Sequence, residues 1–166
     1  TPLRIDKIKD IRPDIDQVDI DGKAILFESG IYAKIPADLP ENLALSALDV
    51  AGAPAQTAKL VKPGDTVVII GAGGKSGMLC CYEAKKRAGV TGKVIGICHS
   101  EKSTKRMMDL GFCDEVFSAD ATQPVPVMKK IEELTNGQMA DVCINNVNIP
   151  DTEMTSLLVT KNKGVV

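Results

Sequence analysis

Four glycines fall within seven residues in GAGGKSG, 71–77, directly after the apolar run TVVII and before MLCCYEAKKRA. That order suits the holding of a pyrophosphate between a strand and a helix. Gly71 allows a tight exit from the strand, with positive φ open to it. Gly73 or Gly74 lets backbone approach a pyrophosphate, and Gly77 lets the helix lie close on a sheet. The free N–H groups and positive dipole end at residues 74–77, Ser76 among them, would hold the phosphates. Lys75 faces either a phosphate or water. The strict G-x-G-x-x-G register fails, because its third glycine falls on Ser76; G-x-x-G-x-x-G at 71, 74 and 77 fits throughout. No G-K-[ST] follows four variable residues after the first glycine, which excludes a Walker loop. The expected ligand is a dinucleotide.

The residue that holds the adenosine ribose is normally acidic and lies about 20 residues past the glycines, at the end of the next strand. In KVIGICHSEK that place falls to Cys98, followed by His99 and Ser100. Without a carboxylate there, a 2′-phosphate is not repelled, and His99, Ser100 or Lys102 could donate to one. Ser100 followed by Glu101 is equally good helix-capping chemistry. Both readings stand, and NAD and NADP both remain open as cofactor. Further on, DVCINNVNIP closes a strand with Asn145, Asn146 and Asn148. Such a turn forms Asx hydrogen bonds, and it also lies where a ribose and nicotinamide would sit. Contact is expected from Asn146 and Val147.

These groups need a scaffold, and the chain alternates in a way that supplies one. Strands are expected at 66–70, 93–98, 115–118 and 141–145, with another beginning at 164. Helices are expected at 77–88, 103–110, 127–134 and 152–160, with Gly111 and Gly137 as stops. The run at 66–70 is too uniformly apolar for a half-exposed strand and should be buried on both faces. Strands alternating with helices predict an α/β fold, a Rossmann-type doubly wound parallel sheet. Upstream, AILFESGIYAK reads as two short strands around a turn at Glu28-Ser29-Gly30. A helix follows near Pro40, and Pro54 is expected to break it before a second helical piece through Lys59.

Composition narrows the function. With 166 residues and a net charge of −2, there is chain for a real core and no electrostatic footprint for nucleic acid. No Trp, two Tyr and three Phe leave little for base stacking. No apolar run approaches a membrane span, so a soluble, cytoplasmic protein without a membrane partner is expected. The five cysteines and the single histidine, His99, show no metal-ligand spacing, so buried reduced thiols and no metal are expected. The absent initiator Met and the ending KNKGVV suggest a fragment of a longer protein.

YAKIPADLPENLALSALDVAGAPAQTAKLVKPGDTVVIIGAGGKSG resembles the medium-chain dehydrogenase/reductase superfamily, in which a GroES-like catalytic domain runs into a Rossmann domain. STKRMMDLGFCDEVF looks like the same superfamily's second helix and third strand. The resemblance implies that residues 1–36 are the C-terminal part of the catalytic domain and 37–166 an incomplete NAD(P)-binding domain. It is nearest to a lysine-fermentation branch that oxidatively deaminates a diamino acid with NAD, releasing ammonia. A homodimer or higher homo-oligomer is also implied. The zinc-ligand pattern of the alcohol dehydrogenases is missing. In the superfamily's layout 48–57 runs toward the nicotinamide, which draws attention to Asp49, a carboxylate inside ALSALDVAGAPA. It could meet a substrate ammonium or act as base; a helix-terminal or solvated aspartate is the alternative. A zinc-independent quinone or enoyl reductase of the same superfamily, or a non-catalytic dinucleotide-binding module, are the competing readings.

Overall fold

The computed structural model describes residues 2–30, 32–48 and 50–166. It divides into two units, Thr1–Pro40 and Glu41–Val166.

In the first unit, β1 (Leu3–Arg12) and β2 (Gln17–Ala24) form an antiparallel hairpin. Pro13–Ile15 makes a 3-10 turn between them, and Asp16 closes it in the left-handed region at φ 52°. No sequence pattern announced this hairpin, for a physical reason. The register shifts between Ile5 and Lys7 and again between Ile8 and Asp10. These irregularities spread the apolar residues to 3, 5, 8 and 11 and erase strict alternation. The two strands expected within 24–34 are a correction: Ala24 ends β2, and the described residues from 25 to 34 form the turn at Glu28 and Ser29 but no ladder. The Ile25 N–H still donates to the Pro2 carbonyl at 2.9 Å, but beyond it no ladder continues among the described residues, and β propensity without a partner strand makes no strand. Ile31 lies outside the described residues.

The second unit begins with α1 (Glu41–Ala47) and α2 (Gly52–Leu60). Pro54 does not break the chain; it sits in the first turn of α2, where a missing N–H removes no helical bond. Then come β3 (Thr66–Ile70), α3 (Lys75–Ala88), β4 (Lys93–Cys98), α4 (Glu101–Leu110), β5 (Glu115–Ser118), α5 (Pro124–Leu134), β6 (Ala140–Asn145), α6 (Thr152–Val159) and β7 (Thr160–Val165). α3 starts two residues before its expected onset, and β7 starts four before. All five strands run parallel in the order β5-β4-β3-β6-β7. β3 is therefore central, and the chain winds from it first one way and then the other.

The two-residue period of β3 sends its side chains into two cores. Val67 and Ile69 join Cys80, Cys81, Ala84 and Ala88 of α3 and Met107 of α4. Val68 and Ile70 join Val127 and Ile131 of α5 and Val159. Small residues along α3 let it lie close to the sheet. The five cysteines are free thiols, four buried and Cys113 half-buried. Cys81 lies against Cys113, and that contact together with burial pushes its thiol upward; burial pushes Cys143 up to about 12. At the other end of the sheet, two carboxylates finish the strands. Asp114 Oδ2 accepts from the Val94 N–H at 2.8 Å and pairs with Lys85. Asp141 Oδ2 accepts from the Thr66 N–H at 2.8 Å and pairs with Lys161. Among the described residues no helix is long and apolar enough to cross a membrane.

Candidate functional site

The glycine turn stands at the carboxyl end of β3, where the winding reverses and a crevice opens. Gly71 takes φ +78°, and a Cβ there would approach Val147 Cγ2 to 2.7 Å. Its N–H and that of Ala72 both donate to the Ile97 carbonyl at 3.0 Å, which ties the turn to β4. Gly77 is set by a different constraint. An added Cβ would stand 2.1 Å from the Gly71 carbonyl oxygen and 2.8 Å from Ala72 Cα, so only glycine lets α3 start this close to the strand end. Gly73 is held by α4, since a Cβ would lie 2.6 Å from Ser103 Cβ. Gly74 is the opening: its nearest neighbour would be 3.4 Å away, and no side chain caps the helix it begins. Met78 makes the first helical bond, to the Gly74 carbonyl at 2.9 Å. The N–H groups of Lys75, Ser76 and Gly77 thus precede that bond, beside the positive end of a 14-residue helix.

The next helix starts differently. Ser100 Oγ accepts from the Ser103 N–H at 3.3 Å, and the Ser100 N–H donates back to Ser103 Oγ at 3.3 Å. This reciprocal capping box occupies the Ser100 hydroxyl. Replacing Ser100 by alanine should lower stability by about 1 kcal/mol. Urea unfolding reads that loss, and an unchanged midpoint would contradict the capping role. Cys98, just before it, is 2% exposed. Its sulfur lies 3.4 Å from where a Gly73 Cβ would be, and burial raises its thiol above the ordinary range. His99, the next residue, is exposed.

Two adjoining clefts share Gly71, His99, Val147 and Ile149. One, of about 420 Å³, adds Gly73, Gly74, Ser103, Asn146 and Asn148. The other reaches Cys98 and the 119–122 stretch beyond β5. Gly71, Gly73, Gly74, Cys98, His99, Asn146 and Val147 are therefore brought to one crevice. Lys75, Ser76, Gly77 and Ser100 border the glycine turn and α4 without lining it. Asp120, Thr122, Ser103 and Ile149 line the crevice without having been read from the sequence. Asp120 and Thr122 follow the third parallel strand directly, a position that could have flagged them. Thr122 donates to Asp120 Oδ1 through Oγ1 at 2.7 Å and through its N–H at 2.9 Å, which holds that carboxyl below its usual range.

The asparagine turn divides its work. Asn145 is structural: its Oδ1 accepts from the Val147 N–H at 2.9 Å and its Nδ2 donates to Thr152 Oγ1 at 3.0 Å. Asn146 Oδ1 lies 3.9 Å from Cys80 Sγ, while its buried Nδ2 has no hydrogen-bond partner among the described residues. An orphaned donor beside a glycine turn that has no room for a Cβ at Gly71, Gly73 or Gly77 fits a polar ligand such as a dinucleotide. Asp49 lies outside the described residues. No group of three His, Cys, Asp or Glu side chains among the described residues is placed to hold a metal.

Comparison with known proteins adds sequence and fold relatives. Residues 76–166 match the model of a family described as zinc-binding dehydrogenase, and residues 1–36 match the N-terminal domain of L-erythro-3,5-diaminohexanoate dehydrogenase. The chain is 60% identical over 166 residues to L-erythro-3,5-diaminohexanoate dehydrogenase of Acetoanaerobium sticklandii, covering 100% of the chain and 48% of the relative. It is 56% identical over 165 residues to the protein of that name from Fusobacterium nucleatum, covering 99% and 48%. The chain spans about half the length of the curated relatives it matches. Among solved structures, mycobacterial Rv1454c complexed with NADPH shares 27% identity at a TM-score of 0.67, over 80% of this chain and 40% of that one. A quinone oxidoreductase of Pseudomonas syringae shares 29% at 0.62, over 80% and 40%.

Proposed function

The chain belongs to the zinc-binding dehydrogenase family, and from that premise we propose that the protein it forms part of is an NAD(P)-dependent amine dehydrogenase. The substrate is L-erythro-3,5-diaminohexanoate, which it converts to 5-amino-3-oxohexanoate and ammonia in lysine fermentation. The observation that carries this reading is the 60% identity, sustained over all 166 residues, to a curated enzyme of that name. The crevice supports the cofactor half. Gly71, Gly73 and Gly74 leave room for the pyrophosphate, and the N–H groups of Lys75, Ser76 and Gly77 would donate to it. Asn146 and Val147 would face the nicotinamide side, with His99 toward the adenosine ribose. When bound, the cofactor supplies the two-electron acceptor for the amine-bearing carbon.

This chain's own residues bind and orient. The water that replaces the amine ends in the ketone oxygen, and the nitrogen leaves as ammonia. Asp49 is proposed as the carboxylate that meets a substrate ammonium or takes its proton. Residues 1–36 are read as the tail of the catalytic domain, and 37–166 as the incomplete cofactor domain. A homodimer or higher oligomer is proposed by analogy with the superfamily.

The test uses the full-length protein with 3,5-diaminohexanoate, following absorbance at 340 nm with NAD and then NADP. NADH formation is expected. A response to NADP alone would keep the reaction and move the cofactor preference. Silence with both, alongside turnover of a quinone or an enoyl substrate, would overturn the proposal in favour of a reductase.

A further inference from the structure

We propose that Arg106 is a positioning residue for the cofactor loop, acting through the Gly73 carbonyl to set the N–H groups that receive the pyrophosphate; this rests on the dinucleotide reading above. Each other arginine, Arg4, Arg12 and Arg87, pairs with a carboxylate. Arg106 instead donates from Nη2 to the Gly73 carbonyl oxygen at 2.6 Å, and no carboxylate pairs with it among the described residues. It stands three residues after Ser103, so both project from one face of α4. Ser103 closes on the Cα of Gly73 while Arg106 holds its carbonyl.

That carbonyl and the Gly74 N–H belong to one peptide unit. The N–H donates to the Gly71 carbonyl at 3.0 Å, so both ends of the unit are tied. The plane cannot turn without breaking one bond or the other. Fixing it directs the next three N–H groups, those of Lys75, Ser76 and Gly77. It also keeps the negative end of the Gly73 carbonyl toward a guanidinium rather than toward a pyrophosphate. A charge-assisted hydrogen bond formed before the ligand arrives removes ordering cost from binding.

The experiment compares full-length wild type, Arg106→Ala and Arg106→Lys by calorimetric titration with ADP-ribose, with adenosine binding followed by NMR. Circular dichroism melting reports the fold of each variant. Arg106→Ala should bind ADP-ribose about tenfold more weakly. Adenosine, which has no pyrophosphate, should bind both alike, and Arg106→Lys should recover part of the loss. Equal ADP-ribose affinity in wild type and Arg106→Ala would overturn this inference alone. Parallel loss for ADP-ribose and adenosine would also overturn it, since that marks a general structural role. Failure of the wild type to bind ADP-ribose would overturn the dinucleotide reading and this inference with it.

Discussion

Gly77→Ala should remove dinucleotide binding and cost the full-length protein about 3 kcal/mol or more of stability. The new methyl would stand 2.1 Å from the Gly71 carbonyl oxygen and 2.8 Å from Ala72 Cα. Both are backbone atoms, so no side chain can rotate aside. Relief must come from α3 backing away from β3. The buried face of α3, with Cys80, Cys81, Ala84 and Ala88, would then lose contact with Val67 and Ile69. The same displacement moves the N–H groups meant for the pyrophosphate. Gly52→Ala is the control, because its Cβ would meet nothing within 4 Å. Urea unfolding and calorimetric titration with NADH distinguish the two variants. Full stability and affinity in Gly77→Ala would show that helix and strand do not need this approach.

Asp141→Ala should cost about 2 kcal/mol, measured as a drop in the urea midpoint near neutral pH. The carboxylate accepts from the Thr66 N–H, the first of β3, and pairs with Lys161 at the start of β7. Its loss leaves a half-buried backbone donor without a partner at the edge of the central strand. Burial alone would push the Asp141 carboxyl upward, but hydrogen bonds from Lys161 and the Thr66 N–H outweigh it, and the pKa is lowered. Asp114 behaves alike: burial raises it, Lys85 and the Val94 N–H more than compensate, and the pKa is lowered. A folded pKa below the unfolded one gives stability that is complete above the unfolded value. That stability is lost as pH falls through the folded value. Wild type should therefore lose stability below about pH 4, where unfolded aspartates begin to bind protons. Asp141→Ala should show a shallower decline over the same range. An identical slope would mean that Asp141 does not contribute to the acid transition.

The parallel sheet was legible because its cause is local. Runs such as VVII and VIGIC carry no charged, hydroxyl or amide side chain, which suits only strands covered on both faces, and Gly111 and Gly137 punctuate the helices between them. The glycine turn was legible for a related reason, since residues with no side chain report where backbone must approach backbone. The upstream hairpin was not legible, because its register shifts take the apolar residues out of phase. Pro54 was misread because a proline's effect depends on whether its position needs an N–H, and only the start of α2 decides that.

Local chemistry thus determined the order of elements in the second unit, its parallel sheet and the place of the glycine turn. The tertiary structure alone decided which side chains face that crevice. Neighbouring residues on a strand point to opposite sides, and helix packing selects which side is buried. Cys98 is buried in the core and only borders one cleft, while His99 remains exposed, and Ser100 is taken up by its own helix. Asp120 arrives from beyond β5, brought to the crevice by pairing between strands distant in sequence. Arg106 reaches Gly73 across 33 positions of chain, a contact that no spacing rule can anticipate because it depends on how α4 packs beside the glycine turn.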